Sequence, residues 1–167
     1  MCIRDSTYES EEMDRPTLRL PNEQDELIRA VAAANPRTTV VLMNAGPVEV
    51  ASWEAAVPAI VEAWYAGQEQ GAAVARVLFG DVNPSGRLPL TFPRDEARTP
   101  LASTAQYPGV DGVVHYTEGL FVGYRGYDQF GIEPQYPFGH GLSYTRFEYA
   151  NAAARVGSHD FHNRRRA

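Results

Sequence analysis

Residues 38–47 read TTVVLMNAGP, an uninterrupted β-branched and apolar run that ends in a turn. Apolar residues on both faces are typical of a buried parallel strand. Before this run, residues 22–34 carry an apolar stripe of helical spacing, with acidic residues in the first turn and Asn35-Pro36 at the end. A helix followed by a fully apolar strand predicts an α/β fold with a mostly parallel sheet.

A second unit of the same kind follows. Residues 60–64, within VPAIVEAWY, predict another strand, and residues 70–79 predict a helix of small residues that packs on a sheet. Gly80 suits the position just after that helix. Residues 88–92 predict a third strand, which its proline restricts to an edge or irregular position.

The character of the chain changes after residue 93. Residues 94–149, which we call the extension, are rich in Gly, Pro and Tyr and have few periodic stretches. Such a length without regular structure predicts an ordered excursion over a surface, and excursions of this kind often contribute to binding sites. We expect residues 1–8, which begin MCIRDS, to be disordered or artefactual, and residues 150–167 to be a truncated or disordered tail.

Composition excludes several classes of function. The 167 residues include 15 basic and 21 acidic ones, for a net charge of −6, and 44% are hydrophobic. The negative charge argues against nucleic-acid and anionic-membrane partners, and no apolar run is long enough to span a bilayer. A single cysteine, Cys2, excludes an internal disulfide and a cysteine-cluster metal site. We predict no metal ion and no cofactor.

Few residues point to chemistry by themselves. The chain has no lysine, hence no Walker loop, and no Gly-x-Ser-x-Gly nucleophile elbow. The acidic residues of 9–14 could keep one carboxyl protonated as a general acid, because clustered carboxylates raise one another's pKa. A solvated acidic face also explains them, and from these residues alone we favour it.

Aromatic and polar candidates also have two interpretations each. Trp53 and Trp64 suit either stacking on a sugar ring or a place in the core, and we favour the core for Trp64. Glu118 suits either a ligand hydroxyl or an ion pair with Arg125, and we favour the ion pair. We expect His140 to be a structural histidine.

Six sequence motifs occur along the chain in the order found in a known protein family. Their order and spacing resemble glycoside hydrolase family 3, and the resemblance runs over residues 9–149. The motifs are EEMDRPTLRLPNEQ at 11–24, ANPRT at 34–38, AWYAGQE at 63–69, LFGDVNPSGRLP at 78–89, EGLFVGYR at 118–125 and FGHGLSYT at 138–145.

The resemblance implies a retaining β-glucosidase-like hydrolase that acts on an oligosaccharide or β-glucoside. In this family an N-terminal barrel domain supplies a nucleophilic aspartate, and a following three-layer α/β sandwich domain supplies the acid/base glutamate. By this resemblance, residues 9–93 are the second part of the sandwich domain. Residues 94–149 then form a loop-rich extension that leads towards a fibronectin type III-like domain. The barrel is missing, so we expect the isolated chain to be inactive and its partner to be the barrel of the full-length protein.

The resemblance also assigns the catalytic residue. Glu11 matches the acid/base glutamate, although Glu12 follows it where the family usually has glycine, and Glu9 is the reserve candidate. The sequence indicates no substrate-binding residue and no location in the cell. The alternative function is a stand-alone, non-catalytic carbohydrate-binding or scaffold module.

Overall fold

The computed structural model describes residues 2–4, 15–101 and 103–154. It contains one parallel sheet with the strand order β1–β2–β3, in which Val41 is paired with Cys2 and Thr39 with Ala59. The elements are β1 (Cys2–Arg4), α1 (Gln24–Ala34), β2 (Thr39–Met43), a 3-10 turn (Glu54–Ala56), β3 (Ala59–Glu62), α2 (Gln70–Leu78) and α3 (Tyr124–Phe130). The predicted α/β class with a parallel sheet is confirmed.

The central strand β2 and the helix before it form the core as predicted. Val40, Val41 and Leu42 are at most 2% exposed, and Ile28 of α1 is fully buried against the same cluster. The helix begins two residues after the predicted start. Asn22 and Glu23 have left-handed backbone angles (φ 53° and 57°), which an α-helix does not accommodate.

Strand β3, which corresponds to the strand predicted at residues 60–64, ends earlier than predicted. Strand β3 ends at Glu62, because Trp64 adopts a left-handed backbone angle (φ 50°) that breaks strand geometry. The half-buried Trp64 ring packs against Phe92 with 6.1 Å between ring centroids, and Trp53 is 1% exposed. Both tryptophans therefore contribute to the core.

Helix α2 ends as the sequence predicts, but its packing differs. The helix stops at Leu78, and Gly80 takes the left-handed conformation (φ 83°) that favours glycine after a helix. None of the α2 residues is buried, so the prediction that this helix packs on the sheet is wrong.

The predicted strand at residues 88–92 is also wrong. Within it only Phe92 forms a β-bridge, antiparallel to Tyr136 of the extension. Leu88 exchanges backbone hydrogen bonds with Gly139 and His140, each 2.8 Å long. Pro89 has no N–H to donate, so this segment joins the extension at single points and adds no strand to the sheet.

Two elements have no counterpart in the sequence predictions. Residues 2–4, which we expected to be disordered or artefactual, form β1 and pair with β2 through the backbone. Residues 124–130 form α3 inside the extension. None of the helices in the described ranges combines the length and apolar character that crossing a bilayer requires. We call β1 together with residues 15–93 the sheet region.

Candidate functional site

The candidate site lies at the carboxyl edge of the sheet. All three strands are parallel, so their last residues, Arg4, Met43 and Glu62, meet at one edge. Ligands of open α/β sheets bind outside this edge. The segment that follows β1 contains Glu9 and Glu11, which lie outside the described residues. The structure describes the segments that follow β2 and β3, and these segments line the carboxyl edge of the sheet.

Arg15 is the first described residue after that segment, and it lies on the turn after β2. One of its guanidinium nitrogens donates a hydrogen bond of 2.6 Å to the Pro47 carbonyl. A side chain at Gly46 would place its Cβ 3.3 Å from the same guanidinium, so glycine keeps the approach open. The backbone of Arg4 ends β1 beside Met43, the last residue of β2. Both flanks of residues 5–14 therefore lie at the carboxyl edge.

Two carboxylates hold the chain just after Arg15. One oxygen of Glu96 accepts hydrogen bonds from the Thr17 hydroxyl and from the Leu18 N–H. Glu49 accepts a bond of 2.7 Å from the Glu96 N–H, and its own N–H donates to the Leu18 carbonyl at 2.8 Å. Its second oxygen lies 3.6 Å from Arg19 Nε. We call Glu49 and Glu96 the carboxylate clamp.

The electrostatics of the clamp favour an ionised Glu96. The hydrogen bond from Thr17 and then the one from the Leu18 N–H lower the pKa of the Glu96 carboxyl. Arg19 and Arg15 lower this pKa further, and burial opposes the shift only in part. Glu96 thus accepts its hydrogen bonds as a charged group, which makes each of them stronger than a bond between neutral groups.

Asn44 is a buried polar residue directly after β2. It is 1% exposed, and its amide nitrogen donates to the Gly46 carbonyl. Its side-chain oxygen has no hydrogen-bond partner among the described residues. A buried acceptor without a donor is unfavourable, so Asn44 marks this edge as a place that a further donor would stabilise.

The turn after β3 completes the edge. Glu62 accepts a hydrogen bond of 3.0 Å from the Trp64 N–H, and Gln70 donates one of 2.9 Å to the Trp64 carbonyl. These bonds hold Trp64 in its left-handed conformation. Sparsely populated backbone angles in non-glycine residues concentrate at functional sites, where the surrounding contacts enforce them.

The other candidates from the sequence lie elsewhere. Glu118 accepts a hydrogen bond of 3.2 Å from Gln106 and lines an open pocket of about 380 Å³ in the extension. It forms no ion pair with Arg125 within the described part of the chain, so that interpretation is wrong. His140 stacks on the Tyr136 ring at 4.9 Å, which agrees with a structural role.

Sequence reasoning did not identify the clamp. Glu49 and Glu96 are 47 positions apart and neither belongs to a motif, so only the folded chain brings them together. Among residues 2–4, 15–101 and 103–154, no group of three or more His, Cys, Asp or Glu side chains is arranged to hold a metal ion.

Comparison with known proteins gives consistent matches. Residues 1–124 match the sequence profile of the glycosyl hydrolase family 3 C-terminal domain. A β-glucosidase of Rhizobium radiobacter is 51% identical over 150 residues, which cover 87% of this chain and 18% of the relative. An exo-α-(1→6)-L-arabinopyranosidase of Bifidobacterium longum is 46% identical over 151 residues, covering 90% and 20%.

Solved structures agree with these relatives. The β-glucosidase DesR of Streptomyces venezuelae, in complex with D-glucose, superposes with a TM-score of 0.82 at 46% identity, covering 87% of this chain and 18% of that one. A β-glucosidase of Kluyveromyces marxianus gives 0.86 at 40% identity, covering 93% and 18%. The chain therefore spans about a fifth of the length of these proteins. The resemblance drawn from the motifs is confirmed.

Proposed function

The chain belongs to glycosyl hydrolase family 3, and from that membership we propose that it supplies the acid/base carboxylate of a retaining β-glucosidase-like hydrolase. Glu11 is the proposed acid/base residue. The observation that carries the proposal is the position of the residues around it. Arg4 ends β1 at the carboxyl edge of the sheet, and Arg15 is bound to the turn after β2 at the same edge.

The proposed chemistry needs two carboxyl groups about 5 to 5.5 Å apart across the scissile bond. One carboxylate attacks the anomeric carbon and forms a glycosyl-enzyme, while the glycosidic oxygen leaves. Glu11 protonates this leaving oxygen, then removes a proton from the water that releases the sugar. No residue of this chain matches the family's nucleophile, which belongs to a barrel domain. We therefore expect the isolated chain to hydrolyse no glycoside.

Glu12 is the departure that bears most directly on Glu11. Many members have glycine there, and glutamate resists the backbone angles that glycine adopts freely. A second carboxylate beside the acid/base also favours its protonated form, which suits the first step and opposes the second. Glu9 is the alternative acid/base if this crowding displaces Glu11.

Exposed apolar side chains support a barrel domain as the partner. Leu120, Leu142 and Tyr116 are 72%, 79% and 81% exposed, and they all belong to the extension. Soluble monomers rarely expose many large apolar groups together, and such surfaces mark contacts with other domains or proteins. In our proposal the barrel of a longer protein covers part of this surface.

The proposed substrate class is a terminal β-D-glucoside. The first relative and both structures are β-glucosidases, and one structure holds D-glucose. The arabinopyranosidase is similar over the same region, so residues outside this region select the sugar. This division of roles, with sugar selection outside the region, fits a chain that contributes the proton transfer.

The decisive experiment removes the proposed acid in a protein that also contains the barrel. The first step is to read the genomic sequence upstream of Met1 for a continuing frame. In the longer protein, Glu11→Gln should lower turnover of an alkyl β-glucoside by about 10²- to 10⁴-fold, the usual contribution of a general acid. Glu133→Gln is the matched control, because Glu133 pairs with Arg94 in the extension. Full activity in Glu11→Gln with loss in Glu9→Gln would move the role to Glu9.

The alternative function makes a different prediction for the isolated chain. A carbohydrate-binding module binds its sugar without a barrel, so calorimetry should then detect micromolar binding of cellobiose by this chain alone. The acid/base proposal expects no such binding, since the barrel supplies the nucleophile side of the site.

A further inference from the structure

The segment of residues 111–120 reverses the usual distribution of polar and apolar side chains. Glu118 is the only residue in it that is not exposed, whereas Tyr116 and Leu120 are 81% and 72% exposed. Charged side chains usually remain in water, so a carboxylate that is drawn inward needs a reason. An ion pair does not supply one, since no basic side chain in the described ranges pairs with Glu118.

Glu118 lines an open pocket of about 380 Å³ that combines apolar surface with a few polar groups. One oxygen of its carboxylate accepts the 3.2 Å hydrogen bond from the Gln106 side chain. The other oxygen accepts no hydrogen bond from the described residues and still reaches solvent. The same pocket is lined by three hydroxyl-bearing residues and one aromatic ring, Thr99, Ser103, Thr117 and Phe130. Apolar surface with a few convergent polar groups is typical of a small-molecule site.

Contacts behind the pocket fix its walls. The Glu118 carbonyl accepts the Phe121 N–H at 3.1 Å, which closes the turn that carries the carboxylate. Phe121 meets Phe130 edge to face, with 6.2 Å between the ring centroids. Helix α3 lies so close to Pro100 and Phe121 that a Cβ at Gly126 would not fit. A pocket with fixed walls is largely formed before its ligand arrives, which lowers the ordering cost of binding.

The chemistry of the lining excludes three classes of ligand. The Glu118 carboxylate would repel an anion, and none of the described lining residues is basic to offset this repulsion. A metal ion needs several acidic or histidine ligands, and Glu118 is the only such residue in the described lining. A purely apolar molecule would leave the carboxylate and the amide without partners.

We infer that this pocket binds one ring of a neutral sugar, whose hydroxyl groups donate to the second Glu118 oxygen and accept from the Gln106 amide. A sugar hydroxyl fits both groups because it is donor and acceptor at once. The Phe130 ring, which is 55% exposed, offers an apolar face to the C–H groups of the sugar. The volume lies near the lower end of the range for small-molecule pockets, about 300 to 1,000 Å³, which suits a single ring.

The inference is independent of the proposed acid/base role. All the lining residues belong to the extension, whereas the proposed role concerns the carboxyl edge of the sheet. An open pocket encloses only part of its ligand, so we expect a dissociation constant on the order of millimolar for D-glucose. That affinity also differs from the micromolar binding of cellobiose that a carbohydrate-binding module would show.

The test is a titration of the chain itself with D-glucose, followed by heteronuclear NMR. The Gln106 side-chain amide is the reporter, because it contacts Glu118 directly. Its signals should shift saturably as the sugar enters. Glu118→Gln should weaken binding by about tenfold, since a charged acceptor forms the stronger hydrogen bond. Phe130→Leu, which keeps an apolar side chain but removes the ring, should weaken it as well.

Glu148→Gln is the matched control, because it removes the charge of an exposed carboxylate in the extension that does not line the pocket. Its affinity for D-glucose should equal that of the unsubstituted chain.

Three results would overturn the inference. The first is no saturable shift of the Gln106 amide at sugar concentrations far above the millimolar range. The second is equal affinity in Glu118→Gln and the unsubstituted chain, and if Glu118→Gln does not fold, equal affinity in Phe130→Leu decides instead. The third is tighter binding of methylguanidinium than of D-glucose, which would identify a site for a cation. None of these measurements involves turnover, so failure of this pocket and failure of Glu11 as the acid are distinguishable.

Discussion

The sheet region and the extension differ in how many of their large apolar side chains they bury, although the sheet region also exposes Phe79 and the extension buries Tyr127. In the sheet region Val40 and Leu42 are 0% and 1% exposed. In the extension Tyr116, Leu142 and Tyr149 are 81%, 79% and 93% exposed. The sheet region therefore has a core of its own, while the extension displays apolar groups at its surface. Under the proposed function, a barrel domain covers part of this exposed surface.

A seam around Phe92 and Tyr136 is one of the links between the two regions. Phe92 forms a β-bridge with Tyr136, and the Tyr136 hydroxyl and the Gln135 amide both donate to the Glu54 carboxylate. Leu88 adds its backbone bonds to residues 139 and 140. The seam thus combines one pair of aromatic rings with a small polar network. The carboxylate clamp adds a second link through Glu96, and Tyr144 adds a third through its hydrogen bonds to Asn83 and Val77.

The largest expected effect compares one leucine from each region. Leu42→Ala removes a fully buried side chain from β2 and should lower the free energy of unfolding by about 2 to 5 kcal/mol. Leu142→Ala, at an exposed site, should change it by less than about 0.5 kcal/mol. Urea unfolding followed by circular dichroism measures both. Similar losses in the two variants would show that the extension has a core of its own.

The sequence predicted the sheet region better than the extension for physical reasons. Strand β2 and the ends of α1 and α2 were predictable because an apolar run, Pro36 and Gly80 each act locally. Strand β1 has only three residues, too few for a pattern. The heptapeptide YRGYDQF of α3 has a central glycine and no apolar stripe. Its order depends on tertiary contacts that no local signal reports.

The candidate site also has one part that was predictable from the sequence and one part that was not. The motif around Glu11 identified the proposed acid, since its residues follow one another closely in the sequence and can be recognised without the fold. The clamp was not predictable, because Glu49 and Glu96 meet residues 17–19 only through folding of the sheet and the extension. Residues 88–92 were predicted as a strand that Pro89 restricts to an edge or irregular position, but only Phe92 forms a bridge, because Pro89 lacks the N–H that a ladder needs.

A glycine in α3 tests how closely the extension is packed. A Cβ at Gly126 would lie 2.5 Å from the Phe121 carbonyl oxygen and 2.7 Å from the Pro100 Cβ. Gly126→Ala should therefore destabilise the chain by about 1 to 3 kcal/mol through overpacking. Gly71→Ala in α2 meets nothing within 4 Å and should be neutral or stabilising by up to about 1 kcal/mol. Tolerance of alanine at 126 would mean that the extension packs loosely here as well.

The polar network of the seam should contribute less to the free energy of unfolding than the packing at Gly126. Tyr136→Phe removes the donor to Glu54 and should cost about 1 kcal/mol, with Tyr149→Phe as the exposed control. Burial, and then the hydrogen bond to Glu54, raise the pKa of Tyr136 above its usual range. Stability from the neutral phenol is full below the unfolded value of about 10 and declines as pH rises towards the higher folded pKa. In urea unfolding, the stability advantage of the unsubstituted chain over the Tyr136→Phe variant should therefore shrink above about pH 10. A pH-independent difference would contradict the network.

The smallest expected effect is at the clamp. Glu96→Gln should cost less than about 1 kcal/mol, because exposed charged groups are screened by water. Its hydrogen bonds from Thr17 and Leu18 lower the pKa of Glu96, so this stability is present above the unfolded value of about 4.3 and disappears as pH falls through the lower folded pKa. Urea unfolding from neutral to acidic pH should show the free energies of unfolding of the unsubstituted chain and Glu96→Gln becoming equal only at acidic pH. Glu133→Gln serves as the comparison, and an equal acid dependence in both variants would remove any special role for Glu96.

The placement of the aromatic residues gives the two regions separate optical signals. Both tryptophans, Trp53 and Trp64, belong to the sheet region, and Trp53 is shielded from water. Seven of the nine tyrosines belong to the extension: Tyr107, Tyr116, Tyr124, Tyr127, Tyr136, Tyr144 and Tyr149. Tryptophan emission therefore reports the sheet region alone, while tyrosine absorbance reports mainly the extension. Coincident transitions of the two signals would identify one cooperative unit, and an earlier tyrosine transition would show the extension detaching before the sheet unfolds.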